Sequence, residues 1–365
     1  MGKLRVAVIG AGTIAKVAHL PNYRSHPDVE LAAVADLDAD RARHLAEEFG
    51  VKAVYTDVQT MLEAEQLDAV SICTPNRTHA ALVRTALAHG VDVLVEKPLC
   101  TDVGDARRLV EAAQRGGRIC MVGMTHRFRS DVQAIKRFID AGDLGRLYYV
   151  RAHILRQRGT PAGWFTDKSK SGGGCLMDIG VHALDLAWWL VGMPDLLSAS
   201  GQLVAGIGRY QTLTASRWQS SDPDNRDNQV FDVEDFATAY LRFAGGLVLQ
   251  LEVSWAVNGP QDDALKVDVF GEAGGITLDP PVFYTEHNRV LTESKLSVES
   301  NHFYQDEIYH FVECIQQRRQ PLCTFDQGAK VVQMLLAIAQ SAATGREVRL
   351  GSPASQASSE NGGGK

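Results

Sequence analysis

Apolar positions follow two different rhythms along the chain. Through the first third, short apolar runs alternate with helical stretches. Runs at 4–9, 31–35, 68–73, 91–95 and 119–122 read as strands buried on both faces, with a shorter one at 52–55. Helices are predicted over 38–49, 78–89 and 101–115, each closed by glycine at Gly50, Gly90 or Gly116-Gly117. Repeated β-α-β units with short connections imply a parallel sheet with helices on both faces. This unit spans residues 1–124.

The rhythm changes near Met124. An amphipathic helix is predicted over 127–141, and then alternation takes over. Leu247, Leu249, Leu251, Val253 and Trp255 alternate with Val248, Gln250, Glu252 and Ser254. With 235–243 and the Gly245-Gly246 turn, this predicts a hairpin with one covered face. Further strands fit 147–155, 265–270, 275–278 and 282–284, and helices fit 303–319 and 327–344. Residues 125–350 therefore read as an α/β unit with a large, open, mostly antiparallel sheet and helices on one side. Residues 210–232 read as a long polar loop, and 351–365 as a disordered tail.

Composition narrows the function classes. The chain has 365 residues, 45% hydrophobic and 22% charged, with a net charge of −7. That balance suits a folded protein of two domains and works against binding a nucleic-acid backbone. No apolar run is long enough to cross a bilayer, and the start of the chain lacks the pattern of an export signal. The six cysteines form no C-x-x-C pair, as expected for reduced thiols in the cytoplasm.

The strongest motif is Gly10-Ala11-Gly12-Thr13-Ile14-Ala15, which fits G-x-G-x-x-A between a strand and a helix. Gly10 permits the turn, Gly12 admits a pyrophosphate, and Thr13 and Ile14 open the helix whose N-terminus faces the phosphates. Asp36 ends the second strand, where an acid accepts hydrogen bonds from the adenosine ribose. Leu37 follows it and Arg41 and Arg43 lie further into the helix, so NAD is expected over NADP. Thr74, Pro75, Asn76 and His79 follow the fourth strand, and Glu96, Lys97 and Pro98 the fifth, all at the carboxyl ends where such sheets bind ligands. Lys97 is either a surface lysine or a group that holds a substrate oxygen. In Gly172-Gly173-Gly174…Asp178-x-x-x-His182, the glycines suggest a ligand-contacting or mobile loop. Asp178 and His182 share one helix face, as acid–base machinery, as metal ligands or as a surface pair. No third clustered ligand completes a metal site, so none is expected. Arg127, Arg156 and Trp164 are candidates for substrate contact, with Trp164 equally at home in a core.

Together, the glycine motif, the Glu96-Lys97-Pro98 tripeptide and the Asp178…His182 segment resemble the glucose–fructose oxidoreductase/inositol dehydrogenase/rhizopine catabolism family, Gfo/Idh/MocA. The similarity runs from Leu4 to about Leu350. It implies a Rossmann domain followed by an α/β domain whose open sheet makes homodimers or homotetramers. It implies redox chemistry on sugars, glycosides or cyclitols with NAD. It assigns Lys97 to substrate and nicotinamide, Asp178 to substrate hydroxyls and His182 to acid–base catalysis. His126 stands where the family often has Asn.

The leading expectation is thus an NAD-dependent dehydrogenase acting on a secondary alcohol of a small sugar or polyol. A second enzymatic reading keeps NAD bound and recycles it in each turnover, as an epimerase, a glycoside-cleaving enzyme or a sugar–sugar oxidoreductase would. A third is a non-catalytic cofactor-binding regulator, which has no use for an intact Lys97, Asp178 and His182.

Overall fold

In the computed structural model, described over residues 2–209, 230–259, 262 and 264–350, the first strand is β1, Leu4–Ile9. Its side chains alternate between two cores. Val6 and Val8 face one side of the sheet, Ala7 and Ile9 the other. Around it lie β2 (Val29–Ala35), β3 (Ala53–Tyr55), β4 (Ala69–Ile72), β5 (Asp92–Glu96) and β6 (Cys120–Gly123). The strands are parallel in the order β3-β2-β1-β4-β5-β6. The order reverses between β1 and β4, and their carboxyl ends open the crevice of a Rossmann sheet. Helix ends follow the sequence signals. Asp38 caps Ala39–Phe49 and Asp102 caps Val103–Gly116, while Gly50 and Gly117 close them in the left-handed conformation. A helix at Val58–Ala64, capped by Asp57, adds to the expected set.

The second sheet has nine strands. These are β7 (Leu147–Leu155), β8 (Leu196–Val204), β9 (Phe236–Phe243), β10 (Val248–Ser254), β11 (Lys266–Gly271), β12 (Gly274–Leu278), β13 (Pro281–His287), β14 (Val290–Lys295) and β15 (Val348–Arg349). Their order is β14-β13-β12-β11-β7-β10-β9-β8-β15. Among the described residues only β7 and β10 pair in parallel, so the mostly antiparallel expectation holds. β9 and β10 form the expected hairpin with one covered face, where Leu249, Leu251 and Val253 are buried. β8, β14 and β15 were not expected from the sequence. The predicted loop at 210–232 lies almost wholly outside the described residues, as does the predicted tail at 351–365.

The two units share a core. Ala7, Ile9, Val70 and Val95 belong to one apolar cluster with Leu176, Trp188, Leu249 and Leu251. On the other face of the parallel sheet, Val6 and Val8 pack with Ile308, Phe311, Val312 and Ile315 of the helix Phe303–Gln317. The last third of the chain therefore returns to the first sheet. Among the described residues, no helix is long and apolar enough to cross a membrane.

Candidate active site

A cleft of about 470 Å³ opens where the carboxyl ends of β1, β4 and β5 meet the second unit. Gly10 makes its floor possible. It sits at φ +96°, and a Cβ there would lie 2.7 Å from the Cys73 carbonyl oxygen. Gly12, Thr13 and Ile14 line the cleft beside Thr74 and Asn76. The open turn and the helix start of this set fit a dinucleotide pyrophosphate.

At the end of β2, Asp36 accepts hydrogen bonds from the backbone N–H of Ala11 (2.7 Å) and of Asp38 (2.9 Å). Arg41 also reaches back to it, Nη2 to Oδ1 at 2.6 Å and Nε to Oδ2 at 3.2 Å. Arg41, which the sequence places further into the helix, is thus the cation that pairs with Asp36. Helix geometry places residue 41 within reach of residue 36, so Asp36 carries its own counterion.

The centre of the cleft is built on Glu96 and Lys97. Lys97 Nζ donates to the carbonyl oxygen of Asp178 (2.8 Å) and to its Oδ1 (3.1 Å). Trp255 Nε1 donates to Asp178 Oδ2 (2.9 Å). Asp178 lies on a single π-helical turn, Leu176–Gly180, and His182 follows on the helix Val181–Leu190. Both line the cleft with Lys97. Burial, then Lys97, His126 and Arg156, push the His182 pKa well below its ordinary value. Burial there favours the neutral ring over the imidazolium. The His126 ring lies 4.8 Å from the His182 ring between centroids, and its pKa falls to about 4, chiefly through burial. Behind Lys97, Glu96 Oε1 meets His19 Nε2 at 3.0 Å. Burial raises the Glu96 pKa, but His19 and Lys97 together hold it below the usual range. His19 comes from another π-helical turn, Ala15–His19, and its Nδ1 meets Ser71 Oγ at 3.1 Å.

The substrate-side candidates divide. Trp164 and Arg156 line the cleft with Ile154 and Phe165, and Trp164 stacks on Phe165 at 4.0 Å. Arg127 does not. It is fully buried, donates to both oxygens of Asp185 at 2.6 and 2.9 Å, and also holds Leu322 and Gln327. Its assignment to substrate is corrected to an internal strut. His79 is likewise corrected as a cofactor contact. It is fully buried, and its two ring nitrogens meet the carbonyl oxygens of Pro98 and Thr74, each at 2.8 Å. Pro75 caps the turn Asn76–Thr78, and Asn76 lines the cleft while donating to the Ser171 carbonyl.

The glycine run also serves packing, not ligand approach. A Cβ on Gly174 would collide with the Glu234 carbonyl, and one on Gly173 would lie 2.7 Å from Met177 Cγ. Glu234 Oε1 accepts from the Gly174 and Leu176 N–H groups and so fixes the start of the π turn. Sequence reasoning missed His19, Trp255 and Glu234 as supports of the site. The signal for His19 was a histidine on an otherwise small, apolar helix face at Ala15 and Ala18.

Two family models match the chain. One, described as an oxidoreductase family with an NAD-binding Rossmann fold, covers residues 4–124. The other, the GFO/IDH/MocA C-terminal domain, covers residues 132–277. D-glucoside 3-dehydrogenase of Escherichia coli (strain K12) is 34% identical, over 95% of this chain and 97% of its own length. The NAD(+)-dependent scyllo-inositol 2-dehydrogenase of Bacillus subtilis (strain 168) is 27% identical, over 95% and 96%. The crystal structure of GenD2 from gentamicin A biosynthesis, in complex with NAD, superposes with a TM-score of 0.78 at 28% identity, covering 96% of this chain and 97% of that one. Its Rossmann sheet, its mostly antiparallel second sheet and both matching models make this chain a member of the GFO/IDH/MocA family of NAD-binding oxidoreductases.

Proposed function

We propose that this protein oxidises a secondary ring alcohol of a glycoside, sugar or cyclitol, with His182 as the base. The observation that carries this is the meeting of Lys97, Asp178 and a buried His182 in the cleft lined by Gly12, Thr13 and Ile14. Bound NAD supplies the hydride acceptor. The chain's own residues manage the proton. His182 is neutral, so it can take the hydroxyl proton as the alcohol carbon loses hydride. Its Nδ1 is enclosed, which leaves Nε2 as the nitrogen toward the substrate. Lys97 holds the substrate oxygen and favours its developing negative charge. Asp178 fixes Lys97 and retains lone pairs for a substrate hydroxyl. Trp164 offers an apolar face to the C–H side of a ring, and Arg156 a donor to its hydroxyls.

The similarity to a glucoside 3-dehydrogenase supports a glycoside ring over an open chain. We read residues 1–124 as the cofactor unit and 125–350 as the substrate unit of a cytoplasmic enzyme. We also read the outer face of the second sheet as the contact of a homodimer or homotetramer. Tyr149, Arg151, Gln250, Phe270 and Tyr240 stand on that face, and such a face is usually covered by a partner copy. Light scattering then gives at least twice the 39.8 kDa of one chain. A monomer at micromolar concentration rejects that part of the reading.

The activity is tested by incubating the protein with NAD and a panel of glycosides, free sugars and inositols, following nicotinamide absorbance. Net NADH formation with a ring alcohol is expected. Bound NAD with no turnover across the panel overturns the dehydrogenase reading, and product formation without net NADH favours the recycled-cofactor alternative.

A further inference from the structure

A catalytic histidine usually has a partner on its second ring nitrogen, a carboxylate or a backbone carbonyl that fixes the tautomer. His182 has none among the described residues. Its Nδ1 is enclosed by protein and makes no hydrogen bond, and the same is true of His126 Nδ1. Buried polar atoms without partners are rare and need a reason. Here the two orphan nitrogens belong to rings whose centroids are 4.8 Å apart with planes at 86°. The two nitrogens do not bond each other in this structure, but the rings are neighbours, so only a local adjustment separates them from a shared hydrogen bond.

The backbone is arranged to keep the rings together. His126 lies on the turn Thr125–Phe128, next to Arg127. Asp185 lies one helical turn after His182. The buried Arg127–Asp185 pair therefore clips the segment that carries one imidazole to the helix that carries the other. Phe303 lies against the His126 ring at 6.3 Å.

We propose that His126 is the positioning partner of His182, its Nδ1 accepting the Nδ1–H of the imidazolium formed when His182 Nε2 takes the substrate's proton. Before the reaction His182 is the neutral Nδ1–H tautomer with Nε2 free to take a proton, and His126 is the neutral Nε2–H tautomer whose Nδ1 carries a free lone pair. After proton transfer the positive charge sits on His182, and His126 is the neutral acceptor waiting beside it. In the substrate the O–H and C–H bonds break and the C–O bond becomes C=O, the hydride going to the nicotinamide and the proton to His182. The proton taken from the alcohol stays on Nε2 until solvent or product release removes it. This rests on the assignment of His182 as the base.

The groups that face the pair are Lys97 from the end of β5, Arg156 from the end of β7 and Asp178 on the π turn. Arg129 and Asp131 stand near His126. Tyr304 lines the same cleft, and Glu307 lies behind Thr125. Lys97, Arg156 and Arg129 disfavour an imidazolium, so an acceptor for it matters more here than in a neutral pocket.

The test compares pH profiles of kcat/KM and kcat for His126→Phe and His126→Asn, after unchanged NAD affinity shows that each variant is folded. Phe keeps an aromatic ring without an acceptor, and Asn keeps an acceptor without a ring. In His126→Phe the acidic limb should move about one to two pH units lower, the worth of one hydrogen bond to a charged group, and plateau turnover should fall at least about tenfold. His126→Asn should return both to within about threefold of wild type. An unmoved limb in His126→Phe, or an Asn variant as impaired as Phe, overturns the proposal. Loss of the limb in His182→Ala keeps the base assignment intact in either case. Retention of the limb in His182→Ala overturns that assignment first.

Discussion

Two π-helical turns, one in each half of the chain, hold the two members of the Glu96-Lys97 dipeptide. On the first, His19 meets Glu96 and passes its other nitrogen to Ser71, which also meets Tyr23 OH at 2.8 Å. On the second, Asp178 meets Lys97 and Trp255. The two clusters differ in how completely they are satisfied. Every side chain in the His19 cluster has a partner, and His19 is only 1% exposed. The cluster around Asp178 continues to two imidazoles with unpartnered nitrogens, on the wall of an open cleft. A buried network that is fully paired rigidifies the fold, whereas unspent hydrogen-bonding capacity beside a cleft is capacity kept for a ligand or a moving proton. Both turns widen the helix locally, as π turns at functional sites often do.

The largest test of this contrast lies in the satisfied parts. Arg127→Ala should destabilise the fold by about 3–5 kcal/mol, because it strands the buried Asp185 carboxylate. Urea unfolding measures this. A loss below about 1 kcal/mol, with a raised substrate KM, would return Arg127 to the substrate side.

A smaller effect is expected at the adenosine end. Wild type should prefer NAD to NADP, because Asp36 stands where a 2′-phosphate would lie. Asp36→Ala should narrow that preference. Arg41→Ala should widen it several-fold, since Arg41 is the cation closest to Asp36. The ratio of kcat/KM for the two cofactors reads both. Equal wild-type efficiency with NAD and NADP, or an Arg41 variant with an unchanged ratio, would contradict this account of the site.

Much of this was legible in the chain because burial writes itself into the sequence. The parallel strands are apolar on both faces, and the hairpin of β9 and β10 alternates cleanly. Elements with weaker burial left weaker traces. β14 is exposed throughout as an edge strand, so it carries no apolar face to detect. β8 is interrupted by Ser and by Gly201, where a Cβ would lie 2.7 Å from Ile338 Cγ2, a contact set by a helix far along the chain. The helix Val58–Ala64 is too short to show much period. At the site, backbone motifs could be read and side-chain commitments could not. Arg127 and Trp164 look alike as flanking residues, and only the fold shows that one is spent on Asp185 while the other faces the cleft. The glycine run was visible, but its reason lay in Glu234, which is distant in sequence.

The central claim is that proton removal belongs to the neutral imidazole of His182. The direct measurement is turnover of His182→Ala across pH, with NAD affinity determined in parallel. Turnover should fall by about a hundredfold to ten-thousandfold, the share of acid–base catalysis, while NAD still binds. In wild type the acidic limb should lie below about pH 6.5, because burial and Lys97 depress the histidine, and it should vanish in the variant. Near wild-type turnover in His182→Ala with the same acidic limb would contradict the account and make Lys97 the next candidate for the proton acceptor.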